Sequence, residues 1–202
     1  SYLPCSCPVC QKHTLKELMA SPDKARLLAR HNLYVSLQEI KQVKESIREG
    51  SLWDLLEVRC RSHPRMLDGL RRLASKAEWL ERLDTARKST FFCTSAEGSL
   101  RPEVVRYARR IDRISLQGNV LITDDSHMDT RGYDRVLYWK PPFGPYPTEL
   151  AETYPFNAEV PYEADAAALG QADKILQELI RSNPEARFSL RLKAENSRAL
   201  ID

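Results

Sequence analysis

Residues 5–10 read Cys-Ser-Cys-Pro-Val-Cys (CSCPVC), and they hold three of the five cysteines of this 202-residue chain. Three cysteines this close together cannot all pair with one another, because a disulfide joins only two thiols. The prolines at positions 4 and 8 favour a turn, which lets the three thiolates converge on one point. The stretch is therefore typical of a metal site, of a redox site, or of cysteines that meet partners on another chain.

A tetrahedral zinc site needs a fourth ligand, and His31 can supply it after 20 intervening residues. His13 is the alternative, but it lies three residues from Cys10 and would strain the loop unless a helix began there. Three cysteines with one histidine form a standard structural zinc set. We therefore predict one structural Zn²⁺ ion held by Cys5, Cys7, Cys10 and His31.

Two other kinds of site compete with zinc. An iron–sulfur cluster usually takes four cysteines, and the two remaining ones, Cys60 and Cys93, lie far away in sequence. A thioredoxin-like pair needs two cysteines separated by two residues; Cys7 and Cys10 satisfy that spacing, but Cys5 is then unexplained. We interpret Cys60 and Cys93 as small buried hydrophobic residues.

The composition is that of an ordinary globular protein, with 42% hydrophobic and 29% charged residues. Since no run of about 18 apolar residues exists, we expect no transmembrane helix. The chain starts without an apolar leader, so we also expect no signal peptide. The odd number of cysteines argues against a secreted disulfide framework and favours a reducing cytoplasm.

Charge is distributed unevenly along the chain. Residues 59–113 contain 14 basic and 7 acidic residues, whereas residues 146–186 contain 2 basic and 8 acidic ones. A basic middle suggests a surface that faces a polyanion. The alternative is a pair of solvated faces of opposite sign.

The first part of the chain has the pattern of successive amphipathic helices. Thr14-Leu-Lys-Glu17 has the form of a capping box, and Ser21-Pro22 that of a second helix start, leading toward His31. Beyond it, apolar residues recur at helical spacing at Leu33, Leu37, Ile40, Val43 and Ile47. Gly50 is suited to end that helix. We predict that residues 12–86 are almost wholly helical.

Segments rich in β-branched and aromatic residues begin near residue 88. Four of them predict strands: TFFCT (90–94), NVLIT (119–123), RVLYW (135–139) and RFSLRL (187–192). Helices are predicted over 102–111 and 166–181, and the proline-rich stretch KPPFGPYPTEL (140–150) is predicted to be a loop. This order predicts an α+β protein with a zinc-binding helical domain over 1–87 and an α+β accessory domain over 88–202.

Several longer blocks carry a resemblance to a known family. CSCPVC, followed by HNL at 31–33 and a long amphipathic helix, resembles the zinc-binding end of the tRNA-guanine transglycosylases. HNLYVSLQEIKQVKESIREGSLWDLLEVRCRSHPRML (31–67) is similar to the archaeal, archaeosine-forming branch in particular. RKSTFFCTSAEGSLRPEVVRYARR (87–110) and PPFGPYPTELAETYPF (141–156) resemble parts of that branch's first accessory domain. The similarity runs from residue 2 to about residue 162.

The resemblance implies an activity and a cofactor. That family exchanges a guanine base at position 15 in the D-loop of tRNA for the deazapurine preQ0. A TIM-barrel-type domain carries an aspartate that forms a covalent intermediate with the ribose and a second aspartate that serves as general base. Those aspartates precede the zinc motif, at which this chain begins. The resemblance therefore assigns a function to only four residues of this chain, the zinc ligands. We expect no base exchange by this chain alone.

Three interpretations of the whole chain follow. It is the C-terminal portion of an archaeosine tRNA-guanine transglycosylase, with the catalytic barrel on the same chain or on a split subunit. Alternatively, it is an autonomous zinc-containing RNA-binding protein, or part of the related archaeosine synthase. The expected partners are tRNA, the catalytic barrel and a second copy of the full enzyme.

Two groups of arginines are candidate tRNA contacts. Arg59, Arg61 and Arg65 surround the Ser-His-Pro break at 62–64, where a helix start exposes backbone N–H groups that could hold a phosphate. The second group consists of Arg106, Arg109 and Arg110 at near-helical spacing, which Arg113 continues. The alternative is solvated helix faces on which these arginines pair with Glu and Asp.

An apolar surface for docking the barrel or a second copy is also expected. The candidates are Tyr34, Leu37, Trp53 and Leu56. The alternative is that these side chains pack among their own helices.

Overall fold

The structure is a computed structural model that describes residues 3–83 and 92–193. The chain forms two compact units, Ser1–Leu52 and Trp53–Asp202. The boundary that the sequence predicts, at residue 87, lies in 84–91, outside the described residues. The division into 1–87 and 88–202 therefore stays a prediction.

The first unit is helical. Its helices are α1 (Pro8–Lys12), α2 (Leu15–Ala20) and α3 (Lys24–Glu49). The predicted capping box of α2 is confirmed, because the Glu17 amide donates to Thr14 Oγ1 (3.3 Å) and the Thr14 amide donates to the Glu17 carboxylate (2.7 Å). Helix α3 continues through His31 as one helix of 26 residues, since no glycine or proline interrupts it. It ends as predicted at Gly50, where φ is 76°.

The apolar stripe that the sequence predicts on α3 lies at the surface of the chain. The exposed fractions along it are 61% at Leu33, 48% at Leu37, 51% at Ile40, 39% at Val43 and 57% at Ile47. The buried apolar residues of this unit form a small cluster near its start, made of Cys7, Val9 and Leu18. The stripe is thus amphipathic in pattern but covers no core among the described residues.

The second unit combines helices with one sheet. Its helices are α4 (Leu52–Cys60), α5 (Pro64–Ala74), α6 (Ala77–Leu83), α7 (Pro102–Ala108) and α8 (Ala166–Ser182). Its strands are β1 (Gly118–Thr123), β2 (Arg135–Lys140), β3 (Gly144–Pro147) and β4 (Ala186–Arg191). The mixed α+β architecture is therefore confirmed, and the predicted 166–181 helix is α8.

The sheet has the order β3-β2-β1-β4. Strand β1 runs parallel to both neighbours, with Ile122 opposite Leu137 on β2 and Leu190 on β4, while β3 pairs antiparallel with β2. Residues 120–123 of β1 are all buried, as expected for a central strand covered on both faces. Residues of α8, among them Ile175 and Leu179, complete the main apolar core.

Three of the four predicted strands are confirmed as β1, β2 and β4. In the fourth, residues 90 and 91 lie outside the described part, and Phe92 forms only an isolated bridge to Glu159. Strand β3 was missed because its sequence, Gly-Pro-Tyr-Pro, reads as a loop; a strand at a sheet edge tolerates proline, which cannot donate to a ladder. Helix α7 ends at Ala108, before the predicted residue 111.

Within the residues that the structure describes, no helix is both long enough and apolar enough to cross a membrane.

Candidate metal centre

Three thiols and one imidazole meet in the first unit. The ligand atoms of Cys5, Cys7, Cys10 and His31 all lie within 4.8 Å of one another. His31 Nδ1 is 3.3 Å from the sulfurs of Cys7 and Cys10 and 3.8 Å from that of Cys5. In a tetrahedral site with Zn–S of about 2.3 Å and Zn–N of about 2.0–2.1 Å, a sulfur and a nitrogen are about 3.6 Å apart. The spacing therefore fits a tetrahedral metal ion.

The turn between Cys5 and Cys10 is organised around the sulfur atoms. Cys7 is the N-cap of α1, and its Sγ accepts a hydrogen bond from the Cys10 amide (3.4 Å). The Cys7 amide in turn donates to Cys5 Sγ (3.5 Å). Pro8 opens the helix, where a proline is tolerated because its missing N–H has no intrahelical partner. Two backbone N–H groups of this turn therefore donate hydrogen bonds to cysteine sulfur atoms.

Apolar packing brings His31 to this turn. Leu27, Leu28 and Tyr34 of α3 pack against the buried Cys7, Val9 and Leu18. His31 lies one turn beyond Leu27 on the same helix, so the contact that buries the leucines also places the imidazole beside the thiols.

The thiols share one electrostatic environment. Burial raises the pKa of the Cys7 thiol, but hydrogen bonds from the Cys10 amide and from the side chains of His31, Cys10 and Cys5 outweigh it and lower the pKa to about 6. Burial, together with the hydrogen bonds and charges of Cys7 and Cys5, raises the pKa of Cys10 to about 11. Cys7 is therefore the thiol that ionises readily, and the thiolate is the form that binds metals.

The predicted set of four ligands is the group that the structure brings together. His13, the alternative ligand, caps the C-terminus of α1 and is not a member. Cys60 and Cys93 are buried in apolar clusters of the second unit, in keeping with their interpretation as small hydrophobic residues. Burial also raises the pKa of the Cys93 thiol to about 12, which keeps it protonated. The Cys₃His group can hold a metal ion.

The first group of candidate tRNA contacts surrounds the start of α5. Arg61 pairs with the buried Glu97 at 3.0 Å, while the side chains of Arg59 and Arg65 are exposed. The N-cap is His63, whose Nδ1 accepts from the Arg65 amide at 3.1 Å, so one backbone N–H proposed for a phosphate already has a partner. Contact of these arginines with tRNA stays a prediction.

The second group converges on one carboxylate of α6. Arg109, Arg110 and Arg106 place guanidinium nitrogens 2.9, 3.6 and 3.9 Å from Glu81. Arg106 also donates to the Glu81 carbonyl oxygen (2.8 Å). Glu78 lies 3.9 Å from Arg109 as well, so three arginines face two carboxylates and a net positive charge of one remains in this group. Their contact with tRNA likewise stays a prediction.

The expected apolar docking residues divide into two kinds. Trp53 is buried, and Leu56 packs against the same cluster of the second unit, so these two serve the chain's own core. Tyr34 is partly buried beside the metal group, and Leu37 is exposed. Of the four candidates, Leu37 is therefore the one that belongs to the exposed α3 stripe.

A buried ionic cluster in the second unit was not anticipated from the sequence. Arg101 is fully buried and lies 2.6 Å from Asp54, 3.5 Å from Glu103 and 4.0 Å from Glu57. Burial raises the pKa of Glu57, although a hydrogen bond from Trp53 Nε1 (2.7 Å) and the charge of Arg101 oppose it. No local pattern marks these residues, because they come together only through packing of α4 against residues 95–103.

Comparison with known proteins finds relatives that are named for the modification of tRNA. A family described as queuine tRNA-ribosyltransferase matches residues 2–65. The tRNA-guanine(15) transglycosylase of Methanosarcina barkeri is 46% identical over 202 residues, which is 100% of this chain and 41% of that protein. The proteins of the same name from Haloferax volcanii and Archaeoglobus fulgidus are 44% and 42% identical, and each match covers 94% of this chain and 37% or 40% of the relative. The chain thus spans well under half the length of the relatives it matches.

Proposed function

This chain is a homologue of the tRNA-guanine(15) transglycosylases over its whole length, and from that premise we propose that it is the zinc-binding and accessory portion of such an enzyme. The activity proposed for the whole enzyme is exchange of a guanine base in tRNA, for preQ0 as the resemblance implies. The observation that carries the proposal is the match of all 202 residues at 46% identity. No catalytic residue is assigned to this chain.

Zinc is the metal we propose for the Cys₃His group. Thiolate and imidazole ligands in a tetrahedral arrangement suit Zn²⁺, and four protein ligands leave no open position for a substrate. The ion would therefore be structural. It would hold α1 and α2, helices of five and six residues, against α3, since helices so short are not stable alone in water.

Metal analysis of the purified protein tests this assignment. We expect one equivalent of zinc per chain in the parent, less than half an equivalent in Cys7→Ser, and one equivalent in the control Cys60→Ser, whose thiol is buried outside the group. Iron in place of zinc, or less than half an equivalent of metal in the parent, contradicts the proposal.

The helical unit is proposed to belong to the end of a TIM-barrel-type catalytic domain, on the same polypeptide or a partner subunit. The exposed α3 stripe supports this, because contiguous apolar surface of this kind marks an interaction site. We expect the chain alone to self-associate in sedimentation experiments and Ile40→Gln to reduce that association. Val58→Gln removes an exposed apolar residue elsewhere and is the control. A monomer at every concentration leaves the docking proposal without support.

A hybrid enzyme tests the activity. In it, this chain replaces the equivalent 41% of the Methanosarcina barkeri relative. We expect the hybrid to incorporate labelled guanine into tRNA, and the chain alone and the truncated relative to incorporate none. A zinc-loaded, folded hybrid without exchange activity contradicts the proposal, and exchange by the chain alone contradicts the placement of the catalytic residues.

The two alternatives make different predictions. An autonomous RNA-binding protein would bind tRNA but give an inactive hybrid, and a portion of archaeosine synthase would support amidotransfer instead of base exchange. The relatives' names favour the transglycosylase. A cytoplasmic location, and a homodimer of the full enzyme, belong to the same proposal.

A further inference from the structure

A cavity in the second unit has aromatic and basic walls. Its volume is about 230 Å³. One wall is a face of α7 and the residues that follow it, with Glu103, Arg106, Tyr107 and Arg110 at steps of three and four. The opposite wall is the Tyr-Pro-Phe segment at 154–156. The cavity is smaller than the roughly 300–1,000 Å³ of sites for drug-sized ligands, and its size suits a single planar ring system.

The aromatic walls are held in place by their own contacts. The Tyr107 hydroxyl donates to the carbonyl oxygen of Pro145, and its ring meets Phe156 edge to face, with centroids 4.9 Å apart. The Tyr154 hydroxyl donates to the buried Glu103 carboxylate. A base that entered the cavity would therefore meet rings that are already ordered, which lowers the entropic cost of binding.

Two cationic side chains line the cavity, together with the buried carboxylate of Glu103. Arg106 and Arg110 line it, and together with Arg109 they surround Glu81, as described above. The Arg110 side chain keeps 50% exposure while it contacts Glu81, so its guanidinium can also meet a ligand from solvent. Guanidinium groups recognise phosphate through parallel N–H donors.

We propose that this cavity binds one unstacked nucleotide of RNA. The base lies among Tyr107, Tyr154 and Phe156, and the phosphate contacts Arg106 and Arg110. Single-stranded RNA is commonly bound in this way, by aromatic or arginine side chains that receive splayed bases and cations that receive the backbone. That the nucleotide belongs to RNA rests on the proposed function. That the cavity fits an aromatic base with an attached phosphate rests only on the residues that line it.

The test uses nucleoside 5′-monophosphates as probes, with ribose 5-phosphate and inorganic phosphate as anions that lack a base. In NMR titrations of the full chain, we expect shifts confined to residues around the cavity and at least about fivefold tighter binding of the nucleotides than of the two base-free anions. Arg110→Gln should weaken nucleotide binding about tenfold. Arg113→Gln, which removes an exposed arginine three residues further on that does not line the cavity, should change it less than twofold.

Equal affinity for nucleotides and base-free anions would overturn the proposal, as would equal losses in the two variants, because either result would mean a general electrostatic field. The hybrid enzyme separates this outcome from failure of the proposed function. If Arg110→Gln leaves its KM for tRNA at the parent value, the cavity is not an RNA site although the enzyme is a transglycosylase. If the hybrid is inactive but nucleotides bind as expected, the cavity stands and the proposed function fails.

Discussion

Replacing Gly144 by alanine should be one of the more damaging small changes in the second unit. Gly144 starts β3 with φ of 71°, a left-handed conformation that costs a residue with a Cβ about 1–2 kcal/mol. A Cβ added there would lie 2.6 Å from the carbonyl oxygen of Ala172 and 3.3 Å from its Cα and carbonyl carbon. These are backbone atoms of α8, which cannot move aside as a flexible side chain would. Relieving such a clash adds about 1–3 kcal/mol, so we expect a total loss of about 2–5 kcal/mol.

Gly132 provides a matched control for the backbone contribution. Its φ of 88° is also left-handed, but an added Cβ would meet no atom within 4 Å in the described structure. Gly132→Ala should therefore cost only the conformational part, about 1–2 kcal/mol. The difference between the two variants measures the close approach of β3 to α8.

Urea unfolding of the full chain, followed by tryptophan fluorescence and circular dichroism, gives both values. Trp139 is buried and pairs with Pro145 across β2 and β3, so fluorescence reports on the region concerned. Equal losses in Gly144→Ala and Gly132→Ala would refute the reasoning, because they would show that no backbone atom opposes a side chain at Gly144.

Two further predictions concern the buried ionic cluster. Arg101→Met should destabilise the second unit by about 3–5 kcal/mol in urea unfolding, since it leaves Asp54 and Glu103 without their buried cation; a loss below about 1 kcal/mol would contradict this account of the cluster. Burial raises the folded-state pKa of Glu57 above its ordinary 4.5, so the folded state binds the proton more tightly than the unfolded state does. The free energy of unfolding therefore falls as the pH rises from the unfolded-state pKa through the raised folded-state pKa. Glu57→Gln keeps an acceptor for Trp53 and cannot ionise, so its stability relative to the parent should rise as the pH increases from the unfolded pKa through the raised folded-state pKa. A relative stability that is flat or falling over that range would contradict the raised pKa.

The candidate metal-binding group and most local elements follow from the sequence alone. A thiol or an imidazole has few uses at such spacing, and the chemistry of Cys5, Cys7, Cys10 and His31 restricts them to very few kinds of site. The capping box at Thr14 and the helix end at Gly50 depend only on residues within one helical turn, so the local sequence predicts both.

Other features depend on contacts between distant residues. Strand β3 exists because β2 offers it a partner, and its prolines are tolerated only because it lies at the edge of the sheet. The pattern of α3 predicts an amphipathic helix correctly, but periodicity does not say which protein surface covers the apolar face, and the described structure leaves it exposed.

The arginines show most clearly which properties the sequence determines and which the tertiary structure decides. The sequence determined their positive charge and helical spacing, and no more. Tertiary packing decided that Arg101 lies buried among three carboxylates, that Arg109 and Arg110 share Glu81, and that Arg110 also borders a cavity with aromatic walls. The reason is physical: a charged side chain takes its role from the burial and the partners around it, and those partners come from residues up to 47 positions away.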